Sequence, residues 1–331
     1  MTPRESEEIK KLIYSRCDHG LLSPTRIHPL KTFSTPEALV LVKREDESGF
    51  GISGCKKRKY ASLIPFLREN HIRKAVLTGG SHSNHLPGIV QLLRENQIQP
   101  ELLVKKNHHS SLKGNSFLLH LLTTPDEITW VSSSGWKDVE TLAENRVKAA
   151  GFSAFFIPEG GSCEPALPGA MTLMADIERN ETESGLQFDH IFIDSGTGLV
   201  AAALVIMNHI LSRKTQIHVV LIAGDEQAFH STLHKAGKWA EQLTGKQLGE
   251  IVFPNVHLPD TGKSFGSTNA TVFAETKRLA EEEGILTDPV YTTKLFMTAR
   301  TAITTLPCRG NVLIIHSGGG TGLMGWQEAF G

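Results

Sequence analysis

The sequence predicts an α/β protein built from two open, twisted, mostly parallel sheets flanked by helices. Short apolar runs alternate with longer amphipathic runs almost throughout the 331 residues, the pattern of strands joined by helical crossovers. Several of the apolar runs lead straight into glycine-bearing turns that open a helix. The length corresponds to about two domains at roughly 150 residues each, which favours two sheets over a single large one.

The apolar runs place strands at Ala38–Val42, Lys74–Leu77, Glu101–Val104, Ile128–Val131, Ala154–Ile157, His190–Ile193, His218–Ile222 and Val312–Ile315. Helices fall between them, for example Ser83–Glu95, Val139–Ala150, Pro168–Asn180, Leu199–Leu211, Thr271–Glu283 and Thr293–Thr304. The polar stretch Phe253–Asn269, with several Gly, Ser and Pro, reads as an active-site loop or an excursion. Break points near Phe50 and Glu164 divide the chain into a large domain of residues 1–50 plus 164–331 and a small domain of 51–163.

Charge narrows the function classes. The 34 basic and 35 acidic side chains nearly cancel, which argues against nucleic acid as the main partner. No apolar run approaches the length needed to span a bilayer, and the charged N-terminus, Met1 to Glu8, lacks the apolar core of a signal peptide. Cys17, Cys55, Cys163 and Cys308 form no Cys-x-x-Cys pair, so neither a zinc ribbon nor a disulfide framework is indicated. A reducing cytoplasm is the simplest setting.

Open α/β proteins bind ligands at the carboxyl ends of their strands, where this chain carries four glycine turns. In Ser195-Gly196-Thr197-Gly198 the glycines let the backbone approach an anion, and the helix-prone Leu199–Leu204 aims its first N–H groups at it. A phosphate fits there. The spacing also matches Gly196-x-Gly198-x-x-Ala201, a dinucleotide fingerprint, with Asp225 placed to hold a ribose. A purely structural turn is the third reading. Gly79-Gly80-Ser81-His82-Ser83-Asn84-His85 ends in residues that cap helices, or whose N–H and hydroxyl groups grip a carboxylate while Asn84 donates to a phenolate. His82 and His85 have no third ligand in sight, so no metal is assigned. His108-His109 sits in a polar segment and reads as exposed. The other two turns are Pro158–Ser162 and Ser317–Gly322. Tyr291, at the start of a helix after Asp288-Pro289, is either core or an acid/base group in a cleft.

Ser53-Gly54-Cys55-Lys56-Lys57-Arg58-Lys59 delivers four basic side chains from a small-residue turn. It is either a basic helix start on a solvated face or a turn presenting one lysine inward, where a lysine can tether an aldehyde cofactor as a Schiff base.

Taken together these segments resemble the pyridoxal-phosphate enzymes that include 1-aminocyclopropane-1-carboxylate deaminase and D-cysteine desulfhydrase, of the tryptophan-synthase-β-like fold type II. The likeness runs from Ser23-Pro24-Thr25-Arg26 and Lys43-Arg44-Glu45-Asp46, through the Lys56, Asn84, Gly160 and Ser195 turns, to Asp288-Pro289-Val290-Tyr291 and His316-Ser317-Gly318-Gly319. It implies pyridoxal 5'-phosphate in the cleft between the two domains, a small amino acid as substrate and a homodimer. It further implies that Lys56 forms the Schiff base and moves a proton. Asn84 bonds the cofactor phenolate, Ser195, Gly196, Thr197 and Gly198 cradle its phosphate, and Ser317 stands beside the pyridine nitrogen. Ser81, His82 and Ser83 take the substrate carboxylate, and Tyr291 and Phe265 stand near the substrate. Lys57, Arg58 and Lys59 are left to the helix start, to solvent or to the phosphate-side field.

A hydroxyl partner at Ser317 leaves the ring nitrogen largely neutral, a milder electron sink than a carboxylate would make. Thr292 follows Tyr291 where the deaminase members carry a glutamate, so the resemblance favours elimination from a β-substituted amino acid, with release of ammonia and a 2-oxo acid. Departures surround the pocket: Cys55 before the lysine, Phe265 where a second tyrosine is common, Pro87, Val200 and Cys163. The competing readings are a nicotinamide-dependent oxidoreductase built on the 196–201 turn, and a cofactor-binding relative with racemase, β-replacement or no activity.

Overall fold

The computed structural model describes residues 2–106, 112–151, 153–306 and 308–330. His108 and His109 lie outside these. The chain begins with α1 (Pro3–Ser15), β1 (Ile27–Pro29), β2 (Ala38–Arg44), α2 (Cys55–Glu69) and β3 (Lys74–Gly80). It continues with α3 (Leu86–Glu95), β4 (Gln99–Lys105), α4 (Asn115–Leu122), β5 (Ile128–Val131), α5 (Val139–Ala150) and β6 (Ala154–Ile157). Next come α6 (Leu167–Ser184), β7 (His190–Ser195), α7 (Leu199–Ile210), β8 (Gln216–Leu221), α8 (Glu226–Thr244) and β9 (Asn255–His257). α9 (Ala270–Glu283), α10 (Thr292–Thr305), β10 (Gly310–His316) and the single turn α11 (Gly320–Leu323) complete it.

Two sheets result, as the alternation predicts. One has strand order β1-β2-β10-β7-β8-β9 and the other β5-β4-β3-β6. Every neighbouring pair is parallel except β1 with β2. All eight predicted strands are present. The two further ones, β1 and β9, have three residues each, too few to show an alternation. β9 lies inside the Phe253–Asn269 stretch, so that segment is an excursion with an edge strand in it.

Both faces of each sheet are covered, which is why the strands read as continuous apolar runs. On β7, Ile191 and Ile193 enter the main core while Phe192 enters a second core with α9 and α10. On β3, Ala75 and Leu77 face the main core while Val76 packs under α5. α7 is apolar all round and buries nine of its 12 residues, the mark of a helix enclosed by other layers. Among the described residues no helix is long and apolar enough to cross a membrane.

Helix α2, which carries the basic run, is held by backbone contacts. Pro65 lies inside it and has no N–H for the Ala61 carbonyl, which accepts the Asp18 N–H at 2.7 Å instead. Gly169 of α6 lies directly on α2: a β-carbon there would stand 1.9 Å from the Arg58 carbonyl oxygen. The Ser62 hydroxyl fills the seam, accepting the Gly169 N–H at 2.9 Å and donating to the Pro165 carbonyl at 2.6 Å. The N-terminus of α2 is thereby fixed against the carboxyl ends of the strands.

Candidate active site

The four glycine turns meet one another around the first turn of α2. Gly54 precedes it with φ of +71°, and a β-carbon there would stand 2.1 Å from the Ser317 carbonyl oxygen, which accepts the Cys55 N–H at 3.0 Å. A β-carbon on Gly160 would stand 2.7 Å from Thr197 Oγ1, and one on Gly161 2.9 Å from His85 Cε1. One on Gly196 would stand 3.0 Å from Tyr291 Cε1. Only residues without side chains allow this convergence.

Lys56 is the half-buried side chain that enters this space, with Nζ 5.8 Å from the centre of the Tyr291 ring. Tyr291 caps α10, and burial pushes its phenol well above the ordinary range. Phe265 stands edge-on to it, 6.0 Å between ring centres, and is 64% exposed. The 253–269 excursion therefore supplies one wall beside Tyr291.

Asn84 and the residues before it do not begin the helix, contrary to the expected Ser83–Glu95. Helix α3 starts at Leu86, with Pro87 in its first turn, where a missing N–H costs nothing. Ser83 closes a turn onto the Gly80 carbonyl at 3.0 Å, and its hydroxyl accepts the His85 N–H at 3.1 Å. Ser81 is buried and the His82 side chain is exposed. The side-chain Oδ1 of Asn84 accepts from Asn115 Nδ2, and Asn115 Oδ1 in turn accepts from Thr321 Oγ1 at 2.7 Å. That chain orients Asn84 with its amide nitrogen as the donor end. Asn115 carries no motif, Thr321 belongs to the 317–322 turn, and both join Asn84 only through the fold.

Ser195 closes β7, Thr197 is exposed, and Gly198 caps α7 with φ of +87°. The N–H groups opening this 12-residue helix form an anion site of the predicted kind. Of the three roles left open for Arg58 and Lys59, the fold removes solvent, because both side chains are buried. Arg58 is buried and paired with Glu45 and Asp176. Lys59 is buried and donates to the Gly160 carbonyl, beside Thr197. Burial and the neighbouring Lys56 pull its ammonium down to about 7. Helical spacing brings Lys59 round to the face of Lys56, and the turn at Gly160 meets it there.

Polar atoms without partners lie around the same space. His85 Nδ1 meets the Tyr60 hydroxyl at 2.9 Å, while its Nε2 is buried and unpaired. Burial, with Lys59 and Lys56, holds this imidazole neutral, well below the usual histidine range. Asp194 Oδ1 is buried and unpaired. Asp288, fully enclosed between Gly319 and Thr292, is pushed up to about 6 by burial, and its Oδ1 accepts the N–H groups of Val290 and Tyr291 at 2.9 and 3.0 Å. Asp225, the ribose ligand of the nicotinamide reading, is spent as the N-cap of α8, accepting the Ala228 N–H at 2.8 Å.

The arrangement suits a phosphorylated aldehyde. A glycine cradle at a helix start and a buried cation without a carboxylate partner face an anion, while a second lysine stands one helical turn away beside an aromatic ring. This defines a cofactor cleft at the strand ends of an α/β fold. The comparisons agree: a family model described as pyridoxal-phosphate dependent enzyme matches residues 20–318, and the chain belongs to that family. Similar proteins include a putative 1-aminocyclopropane-1-carboxylate deaminase of Pyrococcus horikoshii, 27% identical over 86% of this chain and 85% of that one. The mitochondrial bifunctional D-cysteine desulfhydrase/1-aminocyclopropane-1-carboxylate deaminase of Arabidopsis thaliana is 25% identical over 91% of this chain and 77% of its own. The crystal structure of an ACC deaminase homologue superposes with a TM-score of 0.84 at 25% identity, covering 99% of this chain and 98% of that one.

Proposed function

We propose that this protein is a D-cysteine desulfhydrase-like lyase or deaminase that releases ammonia and a 2-oxo acid from a small amino acid. The observation that carries the site assignment is the pairing of two lysines on one face of α2, Lys56 in the opening and Lys59 buried against Gly160 at the glycine cradle. Pyridoxal phosphate, when bound, supplies the electron sink that stabilises negative charge at the substrate's α-carbon.

In this reading Lys56 would hold the cofactor aldehyde, and its amine, when free, would be the base for the substrate's α-proton. Ser195, Gly196, Thr197 and Gly198 hold the phosphate, with Lys59 as counter-charge. Asn84, oriented by Asn115, donates to the phenolate oxygen, and Ser317 stands at the ring nitrogen. The 81–83 turn takes the substrate carboxylate: Ser81 and Ser83 offer polar groups, and exposed His82 acts through its backbone. Tyr291 and Phe265 bound the side-chain end of the substrate. Thr292 is fully buried and accepts the Asp288 N–H at 2.9 Å, so no acid follows Tyr291 and elimination is favoured over ring opening.

We further propose the large domain of 1–50 plus 164–331, the small domain of 51–163, a homodimer and a cytoplasmic setting. The test is a panel of D- and L-amino acids, with ammonia and 2-oxo acid release measured while the cofactor's visible band is followed. Release from a β-substituted amino acid, abolished in Lys56→Ala together with the band, is expected. A cofactor-loaded protein that turns over none of the panel overturns the lyase reading. A protein that takes up no pyridoxal phosphate overturns the site assignment.

A further inference from the structure

The strap formed by residues 260–268 buries none of its residues, yet it places Phe265 at the cleft. Most of its bonds are its own. The Ser267 N–H and hydroxyl both donate to the Ser264 carbonyl, at 3.0 and 2.6 Å, which closes a turn around Phe265. The neck is pinched where Asn269 Nδ2 donates to Thr261 Oγ1, and Asn269 Oδ1 caps α9 by accepting the Val272 N–H at 3.1 Å. Between the strap and α10 runs a groove lined by Pro259, Thr261, Met297 and Thr298, in place of a packed seam.

Lys294 crosses that gap. Its side chain is buried, it forms no ion pair among the described residues, and its Nζ donates to the Gly262 carbonyl at 2.6 Å. Among the described residues this is the hydrogen bond that joins the strap to α10. A buried ammonium deprived of its acceptor is costly, so the contact resists opening. Gly262 is fitted to it: its φ is +61°, and a β-carbon would stand 3.0 Å from Lys294 Cε and 3.1 Å from Nζ.

The helix that carries Lys294 is firmly seated. Leu295, Phe296 and Ala299 lie in the second core, and Thr293 Oγ1 meets the hydroxyls of Thr276 at 2.8 Å and Thr287 at 2.7 Å. Tyr291 caps this helix, and Lys294 follows three residues on, about one turn later on the same side. One turn of α10 therefore sets both walls at the side-chain end of the cleft, Tyr291 directly and Phe265 through Gly262. Phe265 is edge-on to Tyr291 and otherwise largely open. An apolar group seated against its ring leaves water, which is favourable in proportion to the area covered.

We propose that Lys294 is a positioning residue for substrate selection: by latching the strap at Gly262 it holds Phe265 as an apolar wall, so that the site favours β-substituted amino acids whose leaving group carries an alkyl chain, such as S-alkylcysteines. This rests on the reading of the protein as a lyase with Tyr291 and Phe265 at the side-chain end of its substrate. The reaction balances without a further reagent. The Cβ–S bond breaks, an alkanethiol leaves, and one water completes the 2-oxo acid and ammonia.

The test compares S-methylcysteine with S-propylcysteine, in the configuration that the amino-acid panel shows to be active, on cofactor-loaded protein. Wild type is expected to favour the propyl compound in kcat/KM by roughly 10-fold or more, the range for extra methylenes in an apolar site. Phe265→Ala and Lys294→Met should each lose most of that preference, through KM, and the double variant should lose no more than either alone. A second readout needs no turnover. Lys263 is exposed on the strap, and trypsin should cut after it several-fold faster in Lys294→Met than in wild type. Gly262→Ala crowds the Lys294 head from the exposed side and should reproduce both effects, which decides the matter if Lys294→Met does not fold. A wild type indifferent to chain length, a latch variant that keeps the wild-type preference, losses that multiply in the double variant, or an unchanged cleavage rate each overturns the proposal. A loaded protein that turns over no amino acid overturns the lyase reading instead, and the cleavage rates then still decide whether Lys294 holds the strap.

Discussion

Lys59 donates its ammonium to the carbonyl oxygen of Gly160, and Gly160 is pressed against Thr197. Two turns far apart in sequence are thus tied by a buried cation whose partner is a neutral carbonyl. An anion in the cradle would satisfy that charge. Lys59→Met should weaken binding of pyridoxine 5'-phosphate, which lacks the aldehyde and so binds without a covalent link to Lys56, by roughly 10- to 100-fold, the worth of a hydrogen bond to a charged group. The apo protein should show the opposite sign in stability. Lys59 is held down to about 7 in the fold, against an ordinary lysine value of 10.5, so between those values the unfolded chain binds more protons and wild-type stability rises with pH. Apo Lys59→Met should therefore gain most over wild type near neutral pH, and thermal melting should show the gain vanishing toward pH 10.5.

The sequence carried the sheets because parallel strands buried on both faces are continuous apolar runs, and β7 and β3 show both faces in use. It carried the glycine turns because close approach removes side chains. It could not carry Asn115, which reaches Asn84 across 31 positions and Thr321 across 206, since its own stretch shows no motif that points to either turn. The basic run was half legible. Lys56 is singled out by the resemblance and not by its own stretch, while the fate of Arg58 depends on α6 lying over α2 at Gly169 and that of Lys59 on the distant Gly160 turn, contacts with no local signature.

Gly54 is where backbone geometry aims Lys56. Its φ of +71° is unfavourable for any side chain, and a β-carbon would overlap the Ser317 carbonyl oxygen at 2.1 Å. Gly54→Ala should break the Cys55 N–H to Ser317 contact and rotate the start of α2. Denaturant melts should show a loss of about 2 kcal/mol or more. Cofactor uptake followed by the visible band should fall in the variant molecules that remain folded.

A row of imidazoles crosses the large sheet away from the cleft. His190 Nδ1 meets His218 Nε2 at 3.0 Å, and His218 Nδ1 meets His257 Nε2 at 2.9 Å, with Phe192 stacked on His218 at 4.2 Å. Cys308 lies close enough that its sulfur and the ligand nitrogens of His190 and His218 fall within 4.8 Å of one another. Burial holds all three histidines below their ordinary value, His218 at about 3. The unfolded chain takes up protons below about pH 6.5 that the folded row refuses, so stability is full above that value and falls as the pH drops toward 3. His218→Phe keeps the stack on Phe192 and removes that titration. Its midpoint of unfolding should fall less steeply than wild type between pH 6.5 and pH 4.5, which paired urea melts would show.

Beneath the cleft, Asp176 of α6 holds two buried cations at once. Its Oδ2 lies 2.6 Å from Lys43 Nζ and 2.6 Å from Arg58 Nη2, while Glu45 grips Arg58 through Nε at 2.6 Å and Nη2 at 2.7 Å. Asn180 Oδ1 takes a further Lys43 bond at 2.6 Å, and the Thr25 hydroxyl donates to Glu45 at 2.6 Å. Against the push of burial, Lys43 and Arg58 hold both carboxyls below the ordinary range, so their stabilising charge is complete above about pH 4.5 and is lost as the pH falls through their folded values. Removing one member leaves an uncompensated charge in the interior, which costs about 3–5 kcal/mol, more than the pair contributes relative to apolar groups of the same shape. Asp176→Ala should therefore destabilise severely, and the double variant Asp176→Leu with Lys43→Met should recover part of the loss although it removes more polar contacts. Because Arg58 and Lys59 are adjacent on α2, the single variant should also lose affinity for pyridoxine 5'-phosphate at temperatures where it is still folded. Urea melts and analogue titrations on the same samples check both, and a single variant as stable as wild type would show that the network is not a mainstay of the fold.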